Sequence, residues 1–208
     1  MIMKKLIFMF FALLACMAAQ AQDNVEITLN NGNVVKGVAK NMFMFDDCDV
    51  VVVKDSGSGE KSEYKSTEIK SLKYYDDDSK EWITFVPLMA QKTLPSVWNK
   101  NPKPYKAPIF FTPMYEGKHV SAYIRYITTV TNTKQVQLQG TNVMFYFKVH
   151  SEDIAKGYWM GSSIGAKLLL KIVFKPYPVM KDTVSDLDTK EFNKDPISLI
   201  RTFDGLLK

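Results

Sequence analysis

Cysteine and histidine are scarce, with two of each among 208 residues. Cys48 is the only thiol after the first twenty positions, and His119 and His150 are the only imidazoles. That is too little for a structural zinc site, and thin support for a cysteine nucleophile. Once the leader is set aside, a lone cysteine also excludes an internal disulfide, so stability must come from a packed core. Long apolar runs are scarce too. The longest, Leu6 to Ala19, is shorter than the roughly 20 residues a membrane-crossing helix needs, so no transmembrane span is expected in the mature chain. Nor is there a large excess of one charge, since 27 Lys+Arg face 22 Asp+Glu. A composition that is 46% hydrophobic and 24% charged excludes disordered and collagen-like chains.

The N-terminus carries an address. Lys4 and Lys5 precede the apolar run, and Ala19-Gln20-Ala21 has the small-x-small form of a signal-peptidase site. Residues 1–21 are therefore expected to be a signal peptide, and the protein to be exported to the periplasm or beyond the cell. Cleavage after Ala21 leaves 25 Lys+Arg against 22 Asp+Glu, a mild excess that argues against a nucleic-acid partner. Leu13-Leu14-Ala15-Cys16 also resembles the lipobox of bacterial lipoproteins, so lipidation of Cys16 and outer-membrane anchoring is the alternative.

Val25, Ile27 and Leu29 alternate with polar residues, the period of a strand with one buried face. Asn31-Gly32 then marks a tight hairpin turn into a return strand over 33–39. The valine run 50–53 suits a strand buried on both faces, and Ser56-Gly57-Ser58-Gly59 a turn. A fourth strand is expected over 61–65, a short helical turn at Ser66-Thr67-Glu68-Ile69, and a fifth strand over 71–75. With its N-G turn, a second glycine in the return strand (Gly37) and a polar-x-x-Ile turn before the last strand, the segment 25–75 resembles the small SH3-like or Sm-like barrels. That resemblance implies a barrel over 22–78. It does not carry RNA binding with it, because fold alone does not license function. Gly37 itself is expected to mark a bend or bulge.

Asp76-Asp77-Asp78-Ser79 reads as a solvated turn, and the pattern around Trp82, Ile83, Phe85 and Val86 as another strand. Six prolines between Pro87 and Pro113 then imply an irregular connector within 79–118. Alternation returns over 119–126, 134–139 and 142–149, with Gly140-Thr141 as a hairpin turn, which predicts a three-stranded antiparallel meander. Residues 164–174 fit a helix or a strand. The segment after Asp195-Pro196 is an amphipathic helix with Asp195 as its cap. The expected fold is thus mainly β, a β-rich α+β chain: barrel, connector, then a meander over 119–208 ending in helices. The whole chain resembles a bacterial secreted envelope protein.

The aspartates at 46, 47 and 49 and at 76–78 lack D-x-D-x-D-G spacing and read as solvated loops, with no metal assigned. Cys48 among them reads as a small packed residue. Met42-Phe43-Met44-Phe45 reads as packing. Gly161-Ser162-Ser163-Ile164-Gly165 matches G-x-S-x-G by letter, and Ser162 or Ser163 with His119 or His150 and Glu152 or Asp153 would make a hydrolase set. The required strand before the serine is not expected there, and no catalytic, cofactor or metal residue is assigned. In Asn99 to Pro108 the lysines at 100, 103 and 106 repeat every three residues, the period of polyproline II. Extended, the segment would carry a basic rail of Lys100, Lys103 and Lys106 along one edge with Tyr105 on another. It would suit an anionic surface or an acidic envelope protein. The expected function is a non-enzymatic cell-envelope protein with a binding or structural role, with a secreted serine hydrolase and a lipid-anchored structural lipoprotein as alternatives.

Overall fold

The computed structural model describes residues 23–41, 43–44, 47–132, 137–160 and 165–207. Its strands are β1 (Val25–Leu29), β2 (Val34–Ala39), β3 (Val50–Lys54), β4 (Lys61–Lys65), β5 (Ile69–Asp76), β6 (Glu81–Leu88), β7 (Ile109–Glu116), β8 (Val120–Asn132), β9 (Gln137–Val149) and β10 (Lys156–Trp159). They form one sheet in the order β10-β9-β8-β7-β6-β5-β1-β2-β3-β4, in which only β5 and β1 are neighbours without being consecutive. Four α-helices follow among the described residues: α1 (Ala166–Val173), α2 (Lys181–Ser185), α3 (Thr189–Lys194) and α4 (Ile197–Leu206).

The hairpin at Asn31-Gly32 forms, with Ile27 opposite Val35, and Val25 and Ile27 fully buried. The short turn before β5 also forms, as a 3-10 helix over Ser66–Glu68. The sheet nevertheless does not close, so the SH3-like barrel is not present. β5 gives one edge to β1 and the other to β6, so that Leu72 faces Ile27 on one side and Phe85 on the other. Local turn signals specify hairpins. Closure is a non-local pairing, and here β6 takes the edge that a barrel would have sealed.

Register assigns the side chains to two faces. On one face Ile27, Leu72, Phe85 and Phe110 pack around Phe43, whose ring meets those of Tyr74, Phe85 and Phe110 edge-on at 5.9, 5.4 and 5.4 Å. The same face continues through Val120, Ala122 and Phe147, which the helices cover with Leu170, Phe174, Ile200 and Phe203. The opposite face carries Ile109, Phe111, Met144 and Tyr146, and the proline-rich connector covers it with Ala90 and Tyr105.

Other details differ from the sequence expectation. The valines of β3 alternate, with Val51 and Val53 buried and Val50 and Val52 half-buried, because only one face of this outer part of the sheet is covered. β8 and β9 pair continuously from Val120↔Val149 to Asn132↔Gln137, and Gly140 lies within β9 opposite Thr129. The meander there has two long strands in place of three, since a glycine inside an extended ladder needs no turn. Gly157, Tyr158 and Trp159, where no strand was expected, belong to β10, and of the segment 164–174 the residues Ala166–Val173 form a helix, with Ile164 outside the described residues. Asp195 caps α4 through its carboxylate, which accepts from the Ile197 N–H at 3.1 Å. A Cβ on Gly37 would lie 2.6 Å from the Lys54 carbonyl oxygen, so this glycine permits the close approach of β2 to β3.

Candidate functional site

The connector is anchored at its base and exposed at its tip. Residues 90–92 run beside 103–105, where the Tyr105 N–H donates to the Ala90 carbonyl at 2.9 Å and the Lys92 N–H to the Lys103 carbonyl at 3.0 Å. Ala155 joins the same ladder through its N–H to the Met89 carbonyl at 2.8 Å. Pro95 and Pro102 are buried at the base. Proline suits this conformation, because φ is already fixed and neither a helix nor a central strand is being built.

From this base projects a turn closed at both ends: the Ser96 N–H donates to the Asn99 carbonyl at 2.8 Å, and the Asn99 N–H to Ser96 Oγ at 3.0 Å. At its apex Val97 is 52% and Trp98 96% exposed. An indole held almost wholly in water by a braced turn contributes nothing to the core, and it is the side chain most suited to an interface that is apolar on one side and wet on the other.

The connector's own sequence carries charge of one sign. From Trp82 to Tyr115 the chain carries Lys92, Lys100, Lys103 and Lys106 and no acidic residue. Lys100, Lys103 and Lys106 are exposed, and none forms an ion pair among the described residues. Lys92 does: its ammonium bonds to the Asp47 carboxylate, and that bond, with the attraction of the same charge, raises its pKa. Lys103 and Lys106 border a cleft of about 510 Å³ shared with Asp47, Asp49 and Lys92. Tyr105 is 7% exposed and does not lie on an open edge as the polyproline geometry implied. Its ring belongs to the core under the connector.

Behind Tyr105 lies Arg125, 3% exposed. Its Nη1 donates to the Tyr105 hydroxyl at 2.8 Å, and its guanidinium carbon lies 5.2 Å from the ring centroid, while Nε and Nη2 have no hydrogen-bond partner among the described residues. Burial is the main cause that raises the Tyr105 pKa, and the Arg125 charge opposes it. A buried cation with two unused donors is a cost to folding. Arg125→Met, which keeps length and removes charge, is expected to raise stability by about 1–2 kcal/mol, a rise in Tm of roughly 2–8 °C. A lower Tm in thermal unfolding would show that the guanidinium is satisfied in the folded state.

The hydrolase set is not assembled among the described residues. Ser162, Ser163 and Cys16 lie outside them, as do Asp46, Met42 and Phe45. The Glu152 carboxylate accepts from the Tyr177 hydroxyl at 2.6 Å and pairs with Lys156 at 2.9 Å, and these, not an imidazole, are its partners among the described residues. His150 Nε2 instead meets Ser121 Oγ at 2.9 Å, with Ser121 3% exposed. Cys48 is half-buried and donates to the Val50 carbonyl at 3.1 Å, a packing role. Asp76 accepts from Ser79 N–H and Oγ at 3.1 and 2.7 Å, which makes its carboxylate a turn brace. No three His, Cys, Asp or Glu side chains converge on a metal-sized site, and no helix is long and apolar enough to cross a membrane, among the described residues. Sequence reading missed Trp98 and Arg125. The uninterrupted absence of acid around an isolated tryptophan was a usable signal for the first, whereas nothing in the alternation of β8 distinguishes a buried arginine from a solvent-facing one. No protein-family model, curated protein or solved structure matches the chain.

Proposed function

We propose that the protein is an exported, non-enzymatic component of the bacterial cell envelope that docks on an anionic lipid surface through its connector. The observation that carries this reading is Trp98, 96% exposed on a braced turn within an acid-free segment whose free lysines are Lys100, Lys103 and Lys106. In the docked state Val97 and Trp98 enter the headgroup region and the ammonium groups meet lipid phosphates, each roughly 1 kcal/mol near a negative surface. The leader at 1–21 supports delivery to that compartment, with Cys16 lipidation as an additional anchor in the alternative processing.

The test is co-sedimentation of the chain beginning at Gln22 with phosphatidylglycerol and phosphatidylcholine vesicles at low and high salt. Binding should be selective for phosphatidylglycerol and should weaken with salt. Trp98→Ala should reduce it about tenfold or more, and Lys100→Gln, Lys103→Gln and Lys106→Gln together by a similar factor, both with little change in Tm because none of these side chains is packed. Retention that is equal for both lipids, or unchanged in both variants, refutes lipid docking. Capture by an acidic protein with no vesicle binding would reassign the same surface to a protein partner.

A further inference from the structure

A second cationic feature lies on the helical side of the molecule, independent of the connector. The chain from α1 to α2 folds around a cleft of about 450 Å³. Phe174, Met180 and Val184 contribute to its lining while remaining almost wholly buried, so its floor is apolar. Lys171, Lys175 and Lys181 stand around it, all exposed. The lining includes no carboxylate, and none of the three lysines forms an ion pair or side-chain hydrogen bond among the described residues. Of the acids nearby, Glu152 is engaged by Lys156 and by the Tyr177 hydroxyl, which holds the tyrosine ring at the cleft wall, while Asp182 and Asp186, next in the chain to Lys181 and Ser185, are exposed and outside the lining.

Three unneutralised ammonium groups around one opening repel each other and attract a negative charge, and an apolar floor of ligand size rewards a hydrocarbon body. The structure thus pairs an anion-selecting rim with an apolar interior. From this we infer that the cleft is a binding site for a monoacyl organic anion of the fatty-acid class, the carboxylate held among Lys171, Lys175 and Lys181 and the chain laid over Phe174, Met180 and Val184. Val179, 46% exposed and set between the lining residues Pro178 and Met180, adds apolar surface at the opening for a longer chain. A neutral lipid would leave the three charges uncompensated, and an inorganic anion would leave the floor unfilled.

Calorimetric titration with octanoate, decanoate and dodecanoate, below their critical micelle concentrations, tests this. Affinity should rise roughly three- to fourfold for each methylene the cleft buries. Dodecanol should bind at least tenfold more weakly than dodecanoate, and dodecyltrimethylammonium more weakly still. The variant with Lys171→Gln, Lys175→Gln and Lys181→Gln, all surface changes, should lose affinity about tenfold and lose the preference for the carboxylate. Ser185→Trp, at the exposed rim, should block the chain while leaving the lysines in place. Trp98→Ala should leave the titration unchanged, which separates this site from lipid docking by the connector. Equal affinity for the carboxylate and the ammonium amphiphile, no dependence on chain length, or unaltered binding in both cleft variants would each overturn the assignment.

Discussion

Phe147→Ala should be the most damaging single truncation in the helical half, lowering stability by about 3–5 kcal/mol. Phe147 is fully buried on β9, and its ring stacks on Phe174 at 5.1 Å while meeting Tyr158, Tyr177 and Phe203 at 5.9, 5.9 and 5.8 Å. Its ring thus joins the sheet to α4, to the end of α1 and to the edge strand β10 at once. Removing it leaves a cavity that those rings cannot all collapse into, since each is held by other contacts, as Phe174 is by Phe203 at 5.5 Å. At roughly 2–4 °C per kcal/mol for a chain of this size, thermal unfolding should show a fall of roughly 6–20 °C. A loss below about 1 kcal/mol would mean that the helices are not packed on the sheet as described.

Asp204 is the polar counterpart of that contact. It sits on α4, and its Oδ1 accepts from the N–H groups of His119 and Val120 at 2.6 and 2.8 Å. Its Oδ2 accepts from the Lys118 N–H and the Tyr115 hydroxyl, both at 3.0 Å. Partial desolvation pushes its pKa up, but these four donors outweigh it and hold the carboxyl down at about 2, against 3.8 in water. A folded pKa below the unfolded one stabilises above the unfolded value, so the contribution, reduced by solvent screening to about 1 kcal/mol, is complete above roughly pH 5 and is lost as pH falls towards 2. Asp204→Asn should lower stability by about that amount at pH 7, and the urea midpoints of variant and parent should converge as pH approaches 2. Gly117→Ala should reproduce much of the loss, because a Cβ there would lie 2.4 Å from Asp204 Oδ2 and 2.6 Å from the Val120 carbonyl oxygen. Parallel midpoints across the whole pH range would show that the carboxylate charge is not what secures the helix.

What could be read from the sequence followed the range of each signal. Alternation and turn chemistry located β1, β2 and the strands around β3 to β6, since Val25, Ile27 and the Asn31-Gly32 turn act through neighbours in the chain. The helix after Asp195-Pro196 was equally legible, because cap and apolar stripe are neighbours in the chain. Barrel closure failed because the fate of β5's second edge depends on β6, and nothing within residues 25–75 encodes that. β10 escaped notice since Lys156-Gly157-Tyr158-Trp159 is short and contains a glycine; it is a strand through its pairing with β9. For the candidate surface, the lysines at 100, 103 and 106 were visible by spacing. Tyr105 was misplaced because its burial comes from Arg125 and Tyr146, far away in sequence.

The pairing of β5 with β1 gives the sheet a single seam. All other neighbours are joined by their own connecting segments, so β1–β4 and β5–β10 are each a ribbon that can form by successive hairpins. The two ribbons are sealed to each other by one ladder, from Val25↔Tyr74 to Leu29↔Ile69, together with the shared ring of Phe43. Closing that ladder spans about forty residues of intervening chain, an entropic cost met only after both ribbons exist. The least local of the strand ladders therefore lies at the beginning of the described chain. The sheet is complete only once residue 25 slots beside residue 74, so its two ribbons depend on a strand of 5 residues to become one.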